Sequence, residues 1–335
     1  MAVIETAPGA AAIRTRRNAL VVLIALAGMA FLLRLLNATG IPALQNFLLV
    51  FGSLLIEAMP FILLGAAVSA FIEVFVPASF FARVARLPKA LQMPAAGLGG
   101  FAFPVCECGS VPVARRLALK GLAPAAAVTF MLAAPILNPI VLISTAVAYR
   151  GREAMWAMVL GRAALGLAAA LAVGWVVARK ARDQLLRSSD RHERHHHDES
   201  SAPRRRRYFG QLAGDFTMLS RYLVVGAAVA SALQTFVPQD VIGRVAGAPV
   251  VDIVAMMALA GVLSLCSESD AFVAASFVQF GASAQLAFLV FGPMVDAKLG
   301  FLYAGTFTRG FVRTVILTVA AVTLAGTLWL EVLIG

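Results

Sequence analysis

Long apolar segments separated by short basic segments are the main pattern of this chain. The apolar segments cover residues 19–36, 46–76, 122–148, 154–178, 216–237, 286–303 and 310–330. A helix of about 20 apolar residues crosses the roughly 30 Å hydrocarbon core of a bilayer. The pattern therefore predicts an all-α polytopic membrane protein with about seven full spans.

Composition supports this prediction and argues against a soluble protein and against a nucleic-acid-binding protein. Apolar residues make up 61% of the chain and charged residues 13%, with a mean hydropathy of +0.87. Soluble domains are about half apolar and about 25% charged. The net charge of +11 lies in short basic segments between the spans. Such segments mark the cytoplasmic face of a membrane protein, so we predict the lipid bilayer, and no nucleic acid, as partner.

Two basic clusters flank an apolar segment that is too short for two crossings. The clusters are Arg83, Arg86 and Lys89, then Arg115, Arg116 and Lys120, with residues 90–114 between them. One crossing would place one cluster outside, against the positive-inside rule, whereas a re-entrant hairpin keeps both inside. Lipid tolerates such a hairpin only where it is sheathed by helices or lines a wet cavity. The same reasoning predicts a second re-entrant segment at residues 250–280.

An internal repeat divides the chain. The sequence GAAVSAFIEVFVP at 65–77 matches GAAVASALQTFVP at 226–238 at seven of thirteen positions. The first copy is predicted to run from outside to inside and the second in the opposite direction. The halves are therefore predicted to be inverted-topology repeats, which recur in secondary transporters and place the site near the midplane.

The predicted organisation has five parts. They are a cytoplasmic N-terminus (1–18), a first transmembrane helix with an outer loop (19–45), repeat 1 (46–178), a basic cytoplasmic loop (179–213) and repeat 2 (214–335). The loop is charged and rich in Ser, so we predict that it is mostly disordered. It contains all four histidines, His192, His195, His196 and His197. They either bind Zn²⁺ or belong to a polar linker without a metal.

All three cysteines lie at the predicted hairpin tips. The first tip reads FPVCECGSVP at 103–112 and the second reads LSLCSESD at 263–270. A lone membrane cysteine is commonly a small buried apolar residue. Thiolates, however, bind soft ions, and a neighbouring carboxylate accepts the thiol proton. We therefore predict a three-thiol metal site of Cys106, Cys108 and Cys266, within a substrate site that also includes Glu107, Ser110, Glu268 and Asp270.

The helices after the tips are interrupted as well. AAPILNP at 133–139 aligns with GPMVDAK at 292–298, so Asn138 corresponds to Asp296. Charged groups inside a membrane are costly and usually functional. We place Asn138 and Asp296 in the substrate site, and assign coupling or gating roles to Glu57, Pro135, Pro139, Pro293 and Lys298. Asp296 and Lys298 either pair with each other or one of them carries a coupling proton. Arg162 is either the counter-ion of Glu57 or reaches the interface.

The motif Cys-x-Cys-Gly-Ser-x-Pro at 106–112, followed by FMLAAPILNP at 130–139, resembles the predicted bacterial permeases of the YraQ type. Relatives of that family include the ArsP-type methylarsenite efflux permeases. The resemblance implies an integral plasma-membrane permease, with Cys106, Glu107, Cys108, Pro135, Asn138 and Pro139 at the family positions. It also implies a second membrane subunit for some members.

These observations favour a transporter without a cofactor. The leading hypothesis is a permease that moves a soft metal ion, a metalloid or a thiol-reactive species by alternating access. No Walker-type motif is present, so the energy would come from an ion gradient or a partner. The alternatives are a membrane thiol–disulfide carrier, which would be an enzyme, and a non-transporting subunit of a larger membrane complex.

Overall fold

The fold is a set of helices, and the structure is a computed structural model that describes residues 42–77, 88–102, 105–179, 203–236 and 249–334. The described residues form twelve helices: α1 (Pro42–Phe75), α2 (Lys89–Ala102), α3 (Glu107–Leu119), α4 (Pro124–Leu137), α5 (Pro139–Ala148), α6 (Met155–Ala178), α7 (Arg204–Phe236), α8 (Pro249–Leu263), α9 (Asp270–Ser276), α10 (Ala282–Phe291), α11 (Ala297–Thr306) and α12 (Arg309–Ile334). The predicted span at 19–36 and the histidine run lie outside these residues. By its internal contacts the chain divides into Met1–Val50 and Phe51–Gly335, and the candidate site lies entirely within the second unit.

Five segments of the described residues are long and apolar enough to cross a membrane. They are Pro42–Phe75, Pro124–Ala148, Met155–Ala178, Arg204–Phe236 and Arg309–Val332. The predicted all-α polytopic fold is therefore confirmed. The predicted span at 286–303 differs, because residues 292–296 break it into the short helices α10 and α11.

Helix α6 shows how the protein is matched to a bilayer. Trp156 and Trp175 are exposed near its two ends, 64% and 55% respectively. They are 19 residues apart, which in a helix corresponds to about 28 Å. Tryptophan is enriched at both membrane interfaces, so the two rings bracket one hydrocarbon thickness. Arg179 lies 3.7 Å from the Trp175 ring centroid, where its charge reaches the interface.

Helix α7 begins earlier than the sequence pattern predicted. Its first residue is Arg204. The last ten residues of the 179–213 segment are therefore helical, whereas the sequence predicted that they belong to a mostly disordered loop. Arginine is a good helix former, and Pro203 precedes the helix where its missing N–H costs little. The extension is also anchored by Gln211, whose side-chain amide donates to Asp215 at 2.9 Å.

Several helix pairs pack in corresponding ways in the two halves. In the first half α4 packs against α2, α3 and α6, and in the second half α10 packs against α8, α9 and α12. Between the halves, α5 packs on α9 and α3 packs on α11. Since α3 corresponds to α9 and α5 to α11, these cross-contacts are equivalent too. Such a correspondence is expected of a duplicated unit.

Helices α2 and α3 run in opposite directions. Gly97 of α2 faces Thr129 and Ala133 of α4, and Gly100 faces Ala134, so α2 is parallel to α4. Helix α3 joins α4 through the short turn at 120–123 and packs beside it, so α3 is antiparallel to both. The chain therefore reverses between α2 and α3, as the predicted hairpin requires.

Candidate functional site

The candidate site lies where three interruptions of the helices meet. They are the start of α3, the tip between α8 and α9, and the start of α11. The buried side chains at these points include all three cysteines, and hydrogen bonds from Ser267 and Lys298 to Glu107 join the two halves. Most of the residues predicted from the sequence to bind substrate are here.

Glu107, in the first turn of α3, joins the two halves. It is 1% exposed, and both of its carboxylate oxygens accept hydrogen bonds from the second half. Lys298 Nζ donates to Oε1 at 2.9 Å, and Ser267 Oγ donates to Oε2 at 3.0 Å. Ser267 is thus a site residue that the sequence analysis missed, although it lies within the quoted tip motif.

Lys298 has a different main partner from the one considered in the sequence. Its Nζ lies 3.8 Å from Asp296 Oδ2, farther than from Glu107. Asp296 Oδ1 accepts the backbone N–H of Leu299 at 2.6 Å. In contrast, no described residue donates a hydrogen bond to the buried Oδ2 atom. The Asp296–Lys298 contact is therefore secondary, and the reason is that the tertiary fold brings Glu107 closer.

Asn138 and Asp296 have equivalent structural positions. Asn138 Oδ1 accepts the N–H of Ile140 and caps α5, as Asp296 Oδ1 caps α11. A side-chain oxygen at this position satisfies an otherwise unpaired helix donor. Pro135 and Pro139 flank the first interruption, and Pro293 lies in the second. The pairing of Asn138 with Asp296 drawn from the sequence alignment is matched by their common role.

The thiol of Cys266 belongs to a compact set of candidate metal ligands. Cys266 Sγ donates to Glu268 Oε2 at 2.9 Å. One ligand atom each from Glu107, Cys266 and Glu268 lies within 4.8 Å of the others, and no other such group of three occurs in the described part of the chain. Cys106 lies beside the side chains of Cys108 and Cys266, and all three cysteines are free and buried. Thiolate and carboxylate donors with this spacing suit a soft or borderline cation.

The site is less buried on the side of Glu268. Glu268 and Ser269 are partly exposed, unlike Glu107 and Cys266. Ser269 Oγ donates to Glu57 Oε1 of α1 at 3.4 Å, and Glu57 is partly exposed as well. Glu57 therefore lies at the edge of the site and is not part of the candidate metal-ligand set.

Arg162 of α6 is fully buried and binds Asp270. Its Nη1 and Nη2 donate to the two Asp270 oxygens at 2.9 and 2.7 Å, and Nη1 also donates to Thr145. It neither reaches the interface nor pairs with Glu57, because the start of α9 places Asp270 directly opposite. Nη2 further donates to the carbonyl of Ser267 at 3.2 Å, so Arg162 holds the tip that presents Cys266. A charge in the middle of an apolar helix was the signal for this role.

The second tip contains a strained residue. Ser264 has a φ of +48°, the only positive φ of a non-glycine residue in the described ranges. Its Oγ accepts the N–H of Ala297 at 3.2 Å, which ties the tip to the start of α11. Strain of this kind persists where surrounding contacts enforce it, often at functional sites.

Two repeat-related glycines let helices approach the site closely. A Cβ on Gly65 of α1 would collide with the backbone of Gly109, two residues after Glu107. A Cβ on Gly226 of α7 would lie 2.9 Å from Lys298 Cα. Both begin the repeated GAAV sequence. Each half therefore uses the same glycine to pack its long helix on a segment that carries a site residue.

Ser110, which was predicted to bind substrate, instead makes a hydrogen bond within its own helix. Ser110 Oγ donates to the carbonyl of Glu107 within α3.

An additional buried charge, Asp215 of α7, was not predicted from the sequence, because it lies at the end of an apolar span. It accepts hydrogen bonds from Ser69, Arg116 and Gln211.

Broken helices that meet around buried charged side chains are an arrangement that recurs in secondary transporters. The chain belongs to the ArsP-type family described as "predicted permease", whose model matches residues 43–331. It is 40% identical over 281 residues to the UPF0718 protein YcgR of Bacillus subtilis (strain 168), covering 83% of this chain and 95% of that protein. It is also 34% identical over 268 residues to a protein of Streptococcus mutans serotype c named "putative two-component membrane permease complex subunit", covering 79% of this chain and 88% of that protein. No solved structure matches the chain significantly.

Proposed function

We propose that the protein is a permease that binds a thiophilic metal or metalloid cation and moves it across the plasma membrane by alternating access. The observation that carries the proposal is the ligand set of Glu107, Cys266 and Glu268, which both halves supply and whose atoms lie within 4.8 Å of one another. Cys266 is the only one of the three cysteines in this ligand set, and the Cys106 thiol lies beside that of Cys266.

Electrostatics favour a cationic substrate. Apart from the Arg162–Asp270 pair, which is internally neutral, the site holds Glu107, Glu268, Asp296 and Lys298. Three carboxylates and one ammonium carry a formal charge of −2 when all are ionised. Uncompensated charge in a low-dielectric interior is costly, so a divalent cation would stabilise the site. The Glu268 carboxylate is also placed to accept the Cys266 proton when the sulfur binds metal.

Alternating access is supported by the internal repeat. Several helix pairs correspond between the halves, and Asn138 and Asp296 cap equivalent helices. With the predicted opposite orientations, the site lies where two inverted repeats meet. In this arrangement the N-terminus and residues 179–213 are cytoplasmic.

The test uses Cd²⁺ as a probe with the purified protein, first in detergent and then in liposomes. We expect Cys266→Ser to weaken Cd²⁺ binding by more than the roughly 10–100-fold that loss of an outer-shell partner costs, and to abolish uptake. Glu268→Gln should also weaken binding. Glu153→Gln, which changes an exposed carboxylate outside the site, is the matched control. Equal Cd²⁺ affinity in wild type and Cys266→Ser would refute the thiol site.

The position of Cys106 beside Cys266 also supports a second candidate, a thiol–disulfide carrier. A Cys106–Cys266 disulfide that cycles with a thioredoxin-like protein, in the absence of Cd²⁺ uptake, would establish that function instead. The Streptococcus mutans relative is named a subunit of a two-component permease complex, so we propose a second membrane subunit here as well. Uptake by the purified chain alone in liposomes would show that such a subunit is not required.

A further inference from the structure

Lys298 already occupies one of the proposed metal ligands. Its ammonium lies 2.9 Å from Glu107 Oε1 and is 4% exposed. A substrate cation that binds Glu107 must therefore compete with a cation that is part of the protein. Lys298 also has a weak contact with the carbonyl of Leu265, at 3.5 Å.

A second acceptor for Lys298 lies next to the first. Asp296 Oδ2 is 3.8 Å from Nζ, is buried, and receives no hydrogen bond from the described residues. A displacement of about 1 Å would bring Nζ to the usual 2.7–2.9 Å of a charged hydrogen bond. A buried carboxylate oxygen without a donor is costly, so Asp296 favours that displacement.

We propose that Lys298 is a tethered cation that the substrate displaces from Glu107 onto Asp296. This inference rests on the proposed function. In the substrate-free arrangement Lys298 links the second half to Glu107 in the first half. After displacement both partners, Lys298 and Asp296, belong to α11, and the substrate takes over the link between the halves. Binding of the substrate thereby exchanges one contact between the halves for another, which couples occupancy to their relative movement.

The same arrangement contributes to selectivity. A ligand without positive charge cannot compensate Glu107 after Lys298 leaves it, and a buried carboxylate without a counter-ion is strongly unfavourable. The site therefore favours cationic species over neutral thiol-reactive compounds of similar size.

The test is a double-mutant cycle on Cd²⁺ affinity, measured with the purified full chain through the charge-transfer absorbance of the Cd–thiolate bond. The proteins are wild type, Lys298→Met, Asp296→Asn and the double variant. We expect Lys298→Met to bind Cd²⁺ more tightly because the competing cation is gone. Asp296→Asn should weaken binding roughly tenfold when Lys298 is present and less than about twofold in the Lys298→Met background.

The outcomes separate this inference from the proposed function. Equal costs of Asp296→Asn in both backgrounds would mean that Asp296 acts only through long-range charge, and would overturn the exchange while leaving the metal site intact. Weaker binding by Lys298→Met would also overturn it. Absence of Cd²⁺ binding in wild type would overturn both. If Lys298→Met fails to fold, Lys298→Gln provides the same cycle with a neutral side chain that still donates to Glu107.

Discussion

The ion pair between Arg162 and Asp270 provides a direct test of how the site is held in place. Asp270→Asn removes the negative charge and keeps the shape of the side chain. Arg162 is 0% exposed, so its charge would remain buried with only neutral acceptors, the hydroxyl of Thr145 and the carbonyl of Ser267. We expect the variant to be clearly less stable.

The magnitude follows from the geometry of the pair. Two donors of Arg162 lie 2.9 and 2.7 Å from the two oxygens of Asp270. Unit charges about 4 Å apart attract by about 4 kcal/mol at an effective dielectric constant of about 20. Removing one partner of a buried pair costs roughly 3–5 kcal/mol, which agrees with that value. The loss should therefore be about 3–5 kcal/mol in the free energy of unfolding.

The assay is reversible unfolding of the purified protein in mild detergent, followed by circular dichroism. Glu73→Gln is the control, because Glu73 is 27% exposed and its pair with Arg116 is correspondingly screened. It should cost at most about 1 kcal/mol. The combination of Arg162→Met with Asp270→Leu should cost less than Asp270→Asn alone, since no charge remains buried. If Asp270→Asn and Glu73→Gln have equal and small effects, Arg162 is not desolvated as the structure places it.

Two further predictions concern helix packing and topology. Gly226→Ala should destabilise the protein by about 1–3 kcal/mol in the same unfolding assay, because the added Cβ would lie 2.9 Å from Lys298 Cα, whereas Gly214→Ala on the same helix meets nothing within 4 Å and should not be destabilising. An unchanged Gly226→Ala protein would contradict the close helix approach. In a cysteine-free background, Arg86→Cys and Lys120→Cys should react with an impermeant thiol reagent from the same side of the membrane, and labelling from opposite sides would exclude both the hairpin and the inversion.

Several polar residues that the structure brings together could be singled out from the sequence, because membrane burial makes polar residues conspicuous. In an apolar span any Glu, Asp, Lys or Cys is costly or unusual, so Glu107, Cys266, Glu268 and Lys298 were identifiable without coordinates. The repeat likewise predicted that Asn138 and Asp296 are equivalent, and both cap the second part of a broken helix.

Which charge pairs with which was decided by the tertiary structure alone. Lys298 is two residues from Asp296 in sequence, yet its nearer partner is Glu107, 191 residues away. Arg162 similarly binds Asp270 across 108 residues. Local sequence determines where a helix breaks and which polar groups become buried. The partners of these polar groups depend on how the two halves pack. Only the packed structure determines which donor and acceptor atoms come within hydrogen-bond distance of each other.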